Sequence, residues 1–442
     1  MTTKATPVRM LCGMAVFSLA LGVAGPAFAE AAPPKIDSGD TAWMIAATGL
    51  VLMMTIPGLA LFYCGMVRKK NVLAIMAQSL LCVMLCSVLW VVAGYSLAFS
   101  GDGAIIGNLD KMFLRNIAFD AIATNTRIPE MLFMIYQMTF AIITVALVSG
   151  AVADRMRFSA FVWFAVLWMF IVYVPIAHWV WGGGWLTPDA AAKKDGILDF
   201  AGGTVVHLNC GIAGLVAAYV IGKRHGYGND NMSPYNLSLA VIGTGLLWVG
   251  WFGFNGGSAL GANSRAVYAI AATHLAASMG ALTWMALEWW TRGKPSVLGM
   301  ISGAIAGLGT ITPASGFVAP WHGLIIGLIA GGFCFWACTE LKRMLGYDDS
   351  LDVFGVHGVG GLTGTLLAGV FAVNAIGETP GLLEGNGGQM LWQIYGIVGT
   401  VVWCGVFTFV ILKVIEFIVP LRVTQQSEIE GLDVTQHGES LQ

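Results

Sequence analysis

Two histidines lie inside long apolar stretches of the sequence, one in each half of the chain. His207 ends the segment Asp199–His207, and His357 lies in the segment Asp352–Gly358. An apolar environment disfavours the charged imidazolium, so we expect at least one of the two rings to be neutral. A neutral imidazole donates one hydrogen bond, accepts another and can carry a proton. Ionisable groups at membrane depth usually mark a transport pathway, so the sequence predicts that this pair lines a narrow passage.

Two other interpretations of these histidines stay open at this point. They could be unrelated core residues, each bonded to backbone carbonyls, or they could be zinc ligands. Zinc is the poorer interpretation, because the sequence has neither an H-E-x-x-H motif nor a third ligand at metal spacing. Asp199 stands just before its apolar run, where it is expected to cap the helix and add negative potential near a pore mouth. Asp352 is expected to act as a cap alone.

Aromatic residues and one hydroxyl form a second group of candidates. Tyr136 and Phe140 are four residues apart and would share one helix face, while Trp181 follows another apolar run. Phe254 ends a further run, with Ser258 just after it. Single aromatic residues of this kind commonly anchor a helix at the membrane surface. Several rings with one hydroxyl can instead hold a small cation, and both interpretations remain open.

Composition sets the class of protein. Of the 442 residues, 57% are hydrophobic and only 10% are charged, with a mean hydropathy of +0.77. Soluble domains carry about 25% charged residues, so the chain is predicted to be an integral membrane protein. A net charge of -2 argues against a nucleic-acid partner. The cysteines fall in apolar runs apart from one in the leader, and no disulfide framework is predicted.

The first 29 residues have the pattern of a cleaved signal peptide. Lys4 and Arg9 precede the apolar run Met10–Val23, and an A-x-A site ends at Ala29. Such a leader is removed on export, so residues 1–29 are predicted to be a signal peptide. The mature N-terminus would then lie on the periplasmic side.

Eleven later apolar runs are each long enough to cross a bilayer. They cover residues 41–66, 71–99, 130–152, 157–180, 200–222, 236–256, 266–290, 296–314, 319–341, 352–373 and 390–419. The short connections after the odd-numbered runs up to the ninth are basic, which favours a cytoplasmic location for them and for the C-terminus. The fifth and tenth runs both carry an Asp…His pattern, as an inverted repeat of five plus five helices would. The predicted fold is therefore an all-α integral membrane protein of eleven transmembrane helices, the last outside the repeat.

Longer segments of the sequence resemble one known family, the ammonium transporter (Amt/Mep/Rh) superfamily, and more closely its bacterial Amt branch. The resemblance covers essentially the whole mature chain. The segments that show the resemblance most clearly are TIPGLALFYCG (55–65), ADRMRFSA (153–160), PIAHWVWGGG (175–184), DFAGGTVVH (199–207), GWFGFNGGSA (250–259), DVFGVHG (352–358) and EGLDVTQHGE (430–439). The resemblance implies a homotrimer in which every protomer has its own pore.

By motif position the resemblance also implies the roles of individual residues. Trp181, Tyr136 and Ser258 would form an outer ammonium site, which Asp199 would support. Phe140 and Phe254 would be a pair of stacked rings below that site, and His207 and His357 would be a pair of pore histidines. Tyr136 stands where the family often has phenylalanine, and its hydroxyl would either accept a hydrogen bond from the cation or face the vestibule.

The expected function is ammonium transport in the bacterial inner membrane, with methylammonium as a substrate analogue and without a cofactor or metal. Residues 30–420 would form the transmembrane domain. Residues 421–442 would form a cytoplasmic tail that docks onto the inner face and is regulated by a PII-type signal protein. Two alternatives belong to other classes: a membrane ammonium sensor signalling through a PII-type protein, and a membrane metalloenzyme using the two histidines.

Overall fold

The described part of the chain, residues 35–188 and 195–441 of a computed structural model, is built from helices and contains no β-strand beyond two isolated bridges. The expected signal peptide at residues 1–29 lies outside the described residues. The main helices are α1 Ser38–Met66, α2 Lys69–Phe99, α3 Glu130–Val152, α4 Phe158–Trp181, α5 Gly203–Ile221, α6 Leu237–Gly257, α7 Ser264–Arg292, α8 Val297–Ile311, α9 His322–Leu345, α10 Phe354–Phe371 and α11 Gly388–Ile418.

Ten of these helices are long and apolar enough to cross a membrane, and α8 is a shorter apolar helix. The all-helical membrane architecture predicted from composition and apolar runs is therefore confirmed. Every predicted run coincides with one helix, although the eighth run, 296–314, is helical only over Val297–Ile311. At a rise of about 1.5 Å per residue, a helix of that length is only about 22 Å long.

Several of the helices are not regular throughout. Pro57 interrupts α1, where Ile56 leaves the helical conformation. A proline inside a helix removes a backbone donor and crowds the preceding turn, so a break here is expected. The first turns of α5 and α10, Gly203–Leu208 and Phe354–Gly358, are π-helical. Such turns are rare and occur often at functional sites.

Glycines allow α7, α8 and α9 to cross at very short distances. A Cβ atom on Gly307 would lie 2.2 Å from the carbonyl oxygen of Ala276. A Cβ atom on Gly327 would lie 2.4 Å from the same oxygen. Side chains at these positions would push the helices apart, so the three-helix contact depends on their absence.

One end of the bundle, which we call the tail end, carries a buried network of charges. Arg224 binds Asp348 through two nitrogens, at 2.7 and 2.9 Å, and Asp154 accepts a hydrogen bond from Arg68 at 2.9 Å. Burial opposes ionisation of Asp348, but the hydrogen bonds and charge of Arg224 hold the pKa of that carboxyl below its usual value. The opposite end of the bundle carries Trp181, and we call it the Trp181 end.

The C-terminal tail is folded against the tail end through two short helices, α12 Gln425–Glu430 and α13 Leu432–His437. Lys70 Nζ donates to the carbonyl oxygens of Glu428 and Ile429, at 2.7 Å each. Asp433 Oδ1 accepts the backbone N–H of Ala74 at 2.8 Å, close to the start of α2. The tail therefore packs against this end of the bundle.

Candidate functional site

The two histidines predicted to line a passage face each other inside the bundle. The Nδ1 atoms of His207 and His357 are 3.2 Å apart, and the two ring planes differ by only 10°. Both side chains are buried, and His207 Nε2 has no hydrogen-bond partner. In a neutral pair, one Nδ1 carries the hydrogen and the other accepts it. The two outward Nε2 atoms then differ, one being an acceptor and the other a donor.

Glycines bring the helices of these two residues together. A Cβ atom on Gly211 of α5 would lie 2.2 Å from Gly358 Cα at the start of α10. A Cβ atom on Gly361 would lie 2.6 Å from the carbonyl oxygen of Gly203. Backbone therefore packs directly on backbone at this crossing, and this contact sets the distance between the two imidazoles.

We predict that Gly211→Ala destabilises the protein and lowers its activity. Overpacking of a tight contact costs about 1–3 kcal/mol, and the added methyl group would move α5 away from α10. The unfolding temperature of the purified protein should fall, together with ammonium uptake in vesicles. Gly405→Ala is the matched control, because its Cβ atom would meet nothing closer than Ile212 Cγ2 at 3.8 Å. Equal behaviour of the two variants would contradict the packing argument.

The lumen beside the histidines is narrow and apolar. A cavity of about 10 Å³ lies between them and hydrophobic side chains, with room for about one molecule of the size of water. Trp251 forms one wall, stacked on His207 at a centroid distance of 5.5 Å, and its Nε1 donates to Thr312 Oγ1 at 2.9 Å. The histidine nitrogens are thus the main polar groups of this wall. The remaining lining residues are Met54, Leu59, Phe62, Ile143, Leu147, Val206, Leu247, Phe254 and Ile305.

Two phenylalanine rings close the lumen on the side of the Trp181 end. Phe140 and Phe254 are stacked with centroids 4.2 Å apart, and each is 1% exposed. The Trp181 and Phe140 rings are nearly perpendicular, with centroids 5.8 Å apart, and the Phe254 centroid lies 6.1 Å from that of His207. The stacked pair therefore separates Trp181 from the histidines.

The hydroxyl groups of Tyr136 and Ser258 lie at the last turn of α6. Tyr136 Oη is 2.9 Å from the Phe254 carbonyl oxygen, 3.0 Å from that of Gly253 and 3.3 Å from Ser258 Oγ. Ser258 Oγ also donates to the Phe254 carbonyl, at 2.9 Å. Both hydrogens are therefore directed to backbone oxygens, which leaves lone pairs on Ser258 Oγ as acceptors. The Tyr136 hydroxyl is buried against α6, so it lies neither in the lumen nor on the vestibule wall.

Asp199 organises the start of α5. Its carboxylate accepts the backbone N–H groups of Gly202 at 2.8 Å, Gly203 at 2.6 Å and Thr204 at 2.8 Å, and it also accepts the Thr204 hydroxyl. Its own carbonyl oxygen accepts Trp181 Nε1 at 3.0 Å. Asp199 therefore fixes both the first turn that carries His207 and the orientation of Trp181. Through this contact, all eight residues predicted for the site form one connected group. They are Trp181, Tyr136, Ser258, Asp199, Phe140, Phe254, His207 and His357.

Asp349 is the residue that sequence reasoning missed. It lies eight residues before His357, just as Asp199 lies eight residues before His207. Asp349 Oδ2 accepts the Phe354 N–H at 2.7 Å, whereas Asp352, the expected cap, binds Lys342 Nζ at 2.7 Å. The equal spacing of eight residues between aspartate and histidine was the signal in the sequence. It was missed because the second segment was taken to start at Asp352, which is closer to His357 than Asp349 is.

The environment of Asp349 differs from that of Asp199. Asp349 Oδ1 is buried without a hydrogen-bond partner, whereas both oxygens of Asp199 are used. Burial raises the pKa of the Asp349 carboxyl above its usual value, although the nearby Lys342 ammonium opposes the change.

Wider cavities flank the closed segment. At the tail end, a cavity of about 240 Å³ is lined by His357, Tyr63, Cys338, Asp352 and Glu288, among others. At the Trp181 end, a cavity of about 960 Å³ has Trp181 and the ion pair Lys111–Glu130 in its wall. Among the described residues, no group of three or more His, Cys, Asp or Glu side chains is placed to hold a metal ion.

Comparison with known proteins gives one family. The sequence matches the Ammonium Transporter Family over residues 42–441. It is 48% identical over 406 residues to an ammonium transporter of Bacillus subtilis (strain 168). The matched region covers 91% of this chain and 98% of the relative.

Solved structures show the same similarity. The crystal structure of Candida albicans Mep2 superimposes with a TM-score of 0.83 and 36% identity, covering 92% of this chain and 90% of that chain. A structure described as a sensor Amt protein superimposes with a TM-score of 0.82 and 29% identity, covering 90% of this chain and 98% of that chain.

Proposed function

The chain belongs to the ammonium transporter family, and from that premise we propose that it recruits ammonium at the Trp181 end and conducts ammonia past the two histidines. The observation that carries this proposal is the 3.2 Å contact between His207 Nδ1 and His357 Nδ1 in a small, otherwise apolar lumen. The relative at 48% identity is named a transporter, so a sensor role is not favoured over transport.

The proposed recruitment site discriminates by chemistry. Ammonium and potassium ions are close in size, so a pore diameter alone does not separate them. Ammonium differs because it donates directional hydrogen bonds and can lose a proton. Trp181 offers a π face, which attracts a cation. Ser258 Oγ offers an acceptor, because its own hydrogen is directed to the Phe254 carbonyl.

Below this site, the stacked rings and the lumen exclude the charged ion. A cation without water or a counter-ion in an apolar passage is costly, so loss of the proton favours passage of neutral ammonia. Ammonia both donates and accepts hydrogen bonds, and the histidine pair offers one Nε2 of each kind. The cavity of about 10 Å³ admits about one molecule at a time.

An ammonium concentration jump on reconstituted protein tests this function. We expect uptake of ammonium and methylammonium into vesicles and no response to an equal jump in potassium. Simultaneous electrical recording shows whether charge accompanies each molecule. Absence of uptake, or an equal response to potassium, would contradict the proposal.

We further propose that α8 also crosses the membrane, which gives eleven spans, N-terminus out and C-terminus in, as a homotrimer in the inner membrane. Two similar modules, Asp199–His207 and Asp349–His357, support a five-plus-five inverted repeat. In each, the helix that follows the aspartate begins with a π-helical turn that carries the histidine. Asp199 lies near Trp181, whereas Asp349 lies beside the charge network of the tail end. The two modules therefore begin at opposite ends of the bundle, as inverted repeats do.

The proposed domain boundaries follow from these features, with a signal peptide at 1–29, a transmembrane domain at 30–420 and a regulatory tail at 421–442. The tail makes contacts with the proposed cytoplasmic face that a partner could alter. Glu428 joins it to the segment before α6 by accepting His225 N–H at 2.9 Å, and within the tail it accepts Arg422 Nε at 2.5 Å. We propose that a PII-type signal protein binds at this face.

Deleting residues 421–442 should remove binding of a PII-type protein while membrane insertion is retained. The last membrane helix ends at Ile418, so the deletion removes no membrane-spanning residue. The measurement is co-purification of a PII-type protein with detergent-solubilised protein. Lys413→Gln on α11 is the control, because Lys413 is exposed and its contacts, an ion pair with Glu416 and a cation–π contact with Phe409, are with neighbours on the same helix. Undiminished binding after the deletion would overturn this role of the tail.

A further inference from the structure

Another buried histidine lies behind the wall of the wide cavity at the Trp181 end. His178 stands three residues before Trp181 on α4, and its side chain is completely buried. Its Nδ1 atom lies 2.8 Å from the Ala98 carbonyl oxygen, and its Nε2 atom lies 2.5 Å from the Gly103 carbonyl oxygen. Carbonyl oxygens accept hydrogen bonds and cannot donate them. Both ring nitrogens of His178 therefore face acceptors.

The protonation state of this ring follows from its two partners. A neutral imidazole has one N–H group, so its second nitrogen would direct a lone pair at a carbonyl oxygen. Two acceptors in contact at a buried place are unfavourable, because neither has a donor. An imidazolium carries hydrogen on both nitrogens and donates to both oxygens. The geometry of His178 therefore fits the charged ring.

A buried cation needs compensating negative charge, and two helix ends supply it here. His178 lies in the last turn of α4, and Ala98 lies in the last turn of α2. The C-terminal end of a helix carries partial negative charge, which stabilises a cation placed there. Of the charged side chains on the adjoining segments, Glu130 pairs with Lys111 and Asp102 is exposed. The carbonyl groups of the two helix ends therefore take the place of a carboxylate counter-ion.

The His178 ring joins three segments that meet at the cavity wall. Ala98 belongs to the end of α2, Gly103 belongs to the loop that follows α2, and Gly182 begins the turn after α4. A Cβ atom on Gly182 would lie 1.9 Å from the Ala98 carbonyl oxygen and 2.8 Å from His178 Nδ1. The end of α2 and the turn after α4 both line the cavity beside Trp181. Loss of the ring contacts would therefore loosen the wall next to Trp181.

We propose that His178 is an imidazolium that clamps the loop after α2 onto α4 and thereby positions Trp181 for cation recruitment. This positioning role rests on the proposed function, in which Trp181 belongs to the recruitment site. Trp181 is then held from two sides, by the clamp behind it and by the carbonyl oxygen of Asp199, which accepts its Nε1. Since His178 does not line the lumen, we expect the clamp to affect binding of the cation and not its passage.

Two amide substitutions distinguish a clamp with two donors from a neutral ring with one. In His178→Asn, the amide NH₂ group reaches the position of Nδ1 and can keep the bond to Ala98. In His178→Gln, it reaches the position of Nε2 and can keep the bond to Gly103. A neutral ring donates only one of these bonds, so one of the two variants would then behave like the wild type. A charged clamp is damaged by both.

The measurement is the kinetics of methylammonium uptake into vesicles that contain each variant. We expect both variants to raise KM by about tenfold, the usual effect of losing one hydrogen bond to a charged group, while the maximal rate changes little. His225→Asn and His225→Gln are the matched controls, because His225 is exposed and uses its backbone N–H in the structure. A wild-type KM in either His178 variant, or a loss confined to the maximal rate, would overturn the proposal.

Nuclear magnetic resonance on the wild-type protein tests the charge of the ring without any variant. The full chain, labelled with ¹³C and ¹⁵N and embedded in bilayers at neutral pH, should show two protonated nitrogens in the imidazole that lies next to the Ala98 carbonyl carbon. One protonated and one bare nitrogen would overturn the proposal. Absence of wild-type uptake would count against the proposed function, whereas the spectrum decides the state of His178 in either case.

Discussion

Replacing both His207 and His357 with alanine is expected to abolish ammonium-selective uptake while the protein still inserts and folds. The double variant loses both polar groups of the lumen at once, so no imidazole remains buried without its partner. What remains is a wider, wholly apolar passage that offers ammonia no hydrogen bond in exchange for those it leaves in water. Loss of one good hydrogen bond costs about 1 kcal/mol, and loss of two in a dry site costs more than tenfold in rate.

The single variants should behave differently from the double variant. His207→Ala leaves His357 Nδ1 without its 3.2 Å partner, and His357→Ala does the same to His207. A buried polar group without a partner costs about 1–3 kcal/mol, so each single variant should be less stable than the wild type. The losses in free energy of unfolding of the two single variants should not add up in the double variant, because the two residues act as one pair.

The measurement is uptake of methylammonium and of potassium into vesicles that contain each variant. His225→Ala is the control, since His225 is exposed at the tail end and uses only its backbone N–H in the structure. We expect wild-type uptake from the control. Wild-type rate and selectivity in the double variant would refute the proposed role of the histidines.

Asp199→Asn is expected to lower uptake by at least about tenfold, although it changes only one atom. One carboxylate oxygen accepts Gly202 and Gly203, and the other accepts the N–H and hydroxyl of Thr204. An amide nitrogen cannot accept a hydrogen bond, so at least one of these sets loses its acceptor. Hydrogen bonds to a charged group contribute about 1.5–3 kcal/mol each, and about 1.4 kcal/mol corresponds to a tenfold change.

The effect of Asp199→Asn should appear at two places. The turn that carries His207 loses its cap, and Trp181 loses a fixed acceptor for its Nε1. We therefore expect a lower rate of ammonium uptake together with a lower unfolding temperature. Asp195→Asn is the matched control in the same segment, because Asp195 is exposed. Comparable uptake by the two variants would show that the carboxylate of Asp199 is not needed.

Some of this site could be predicted from the sequence because the signals are local. An ionisable residue in a long apolar run is unusual wherever it occurs, so His207 and His357 were recognisable from their neighbours alone. Apolar runs gave the helices for the same reason. The shortness of α8 was not apparent, because the run 296–314 includes flanking residues, 296 and 312–314, that are not helical.

Other parts of the site depend on contacts between distant segments. The direction of the Tyr136 hydroxyl follows from how α3 packs on α6, and its partner Phe254 is 118 residues away. The contact between Asp433 and Ala74 spans 359 residues. Nothing in the local sequence of α3 or of the tail fixes such distances. Asp349 was missed for a different reason, because the pattern that reveals it is a spacing shared with Asp199 and not a residue type.

The stacked rings of Phe140 and Phe254 have a consequence for how fast the protein works. With centroids 4.2 Å apart, they leave no opening between them, so in the proposed function each molecule has to wait for a thermal excursion of the rings. On this proposal we expect turnover to be governed by how often the aromatic barrier opens, and to saturate when the outside ammonium concentration rises. A cell that needs more nitrogen gains little from a steeper gradient and must instead place more copies of the protein in its membrane.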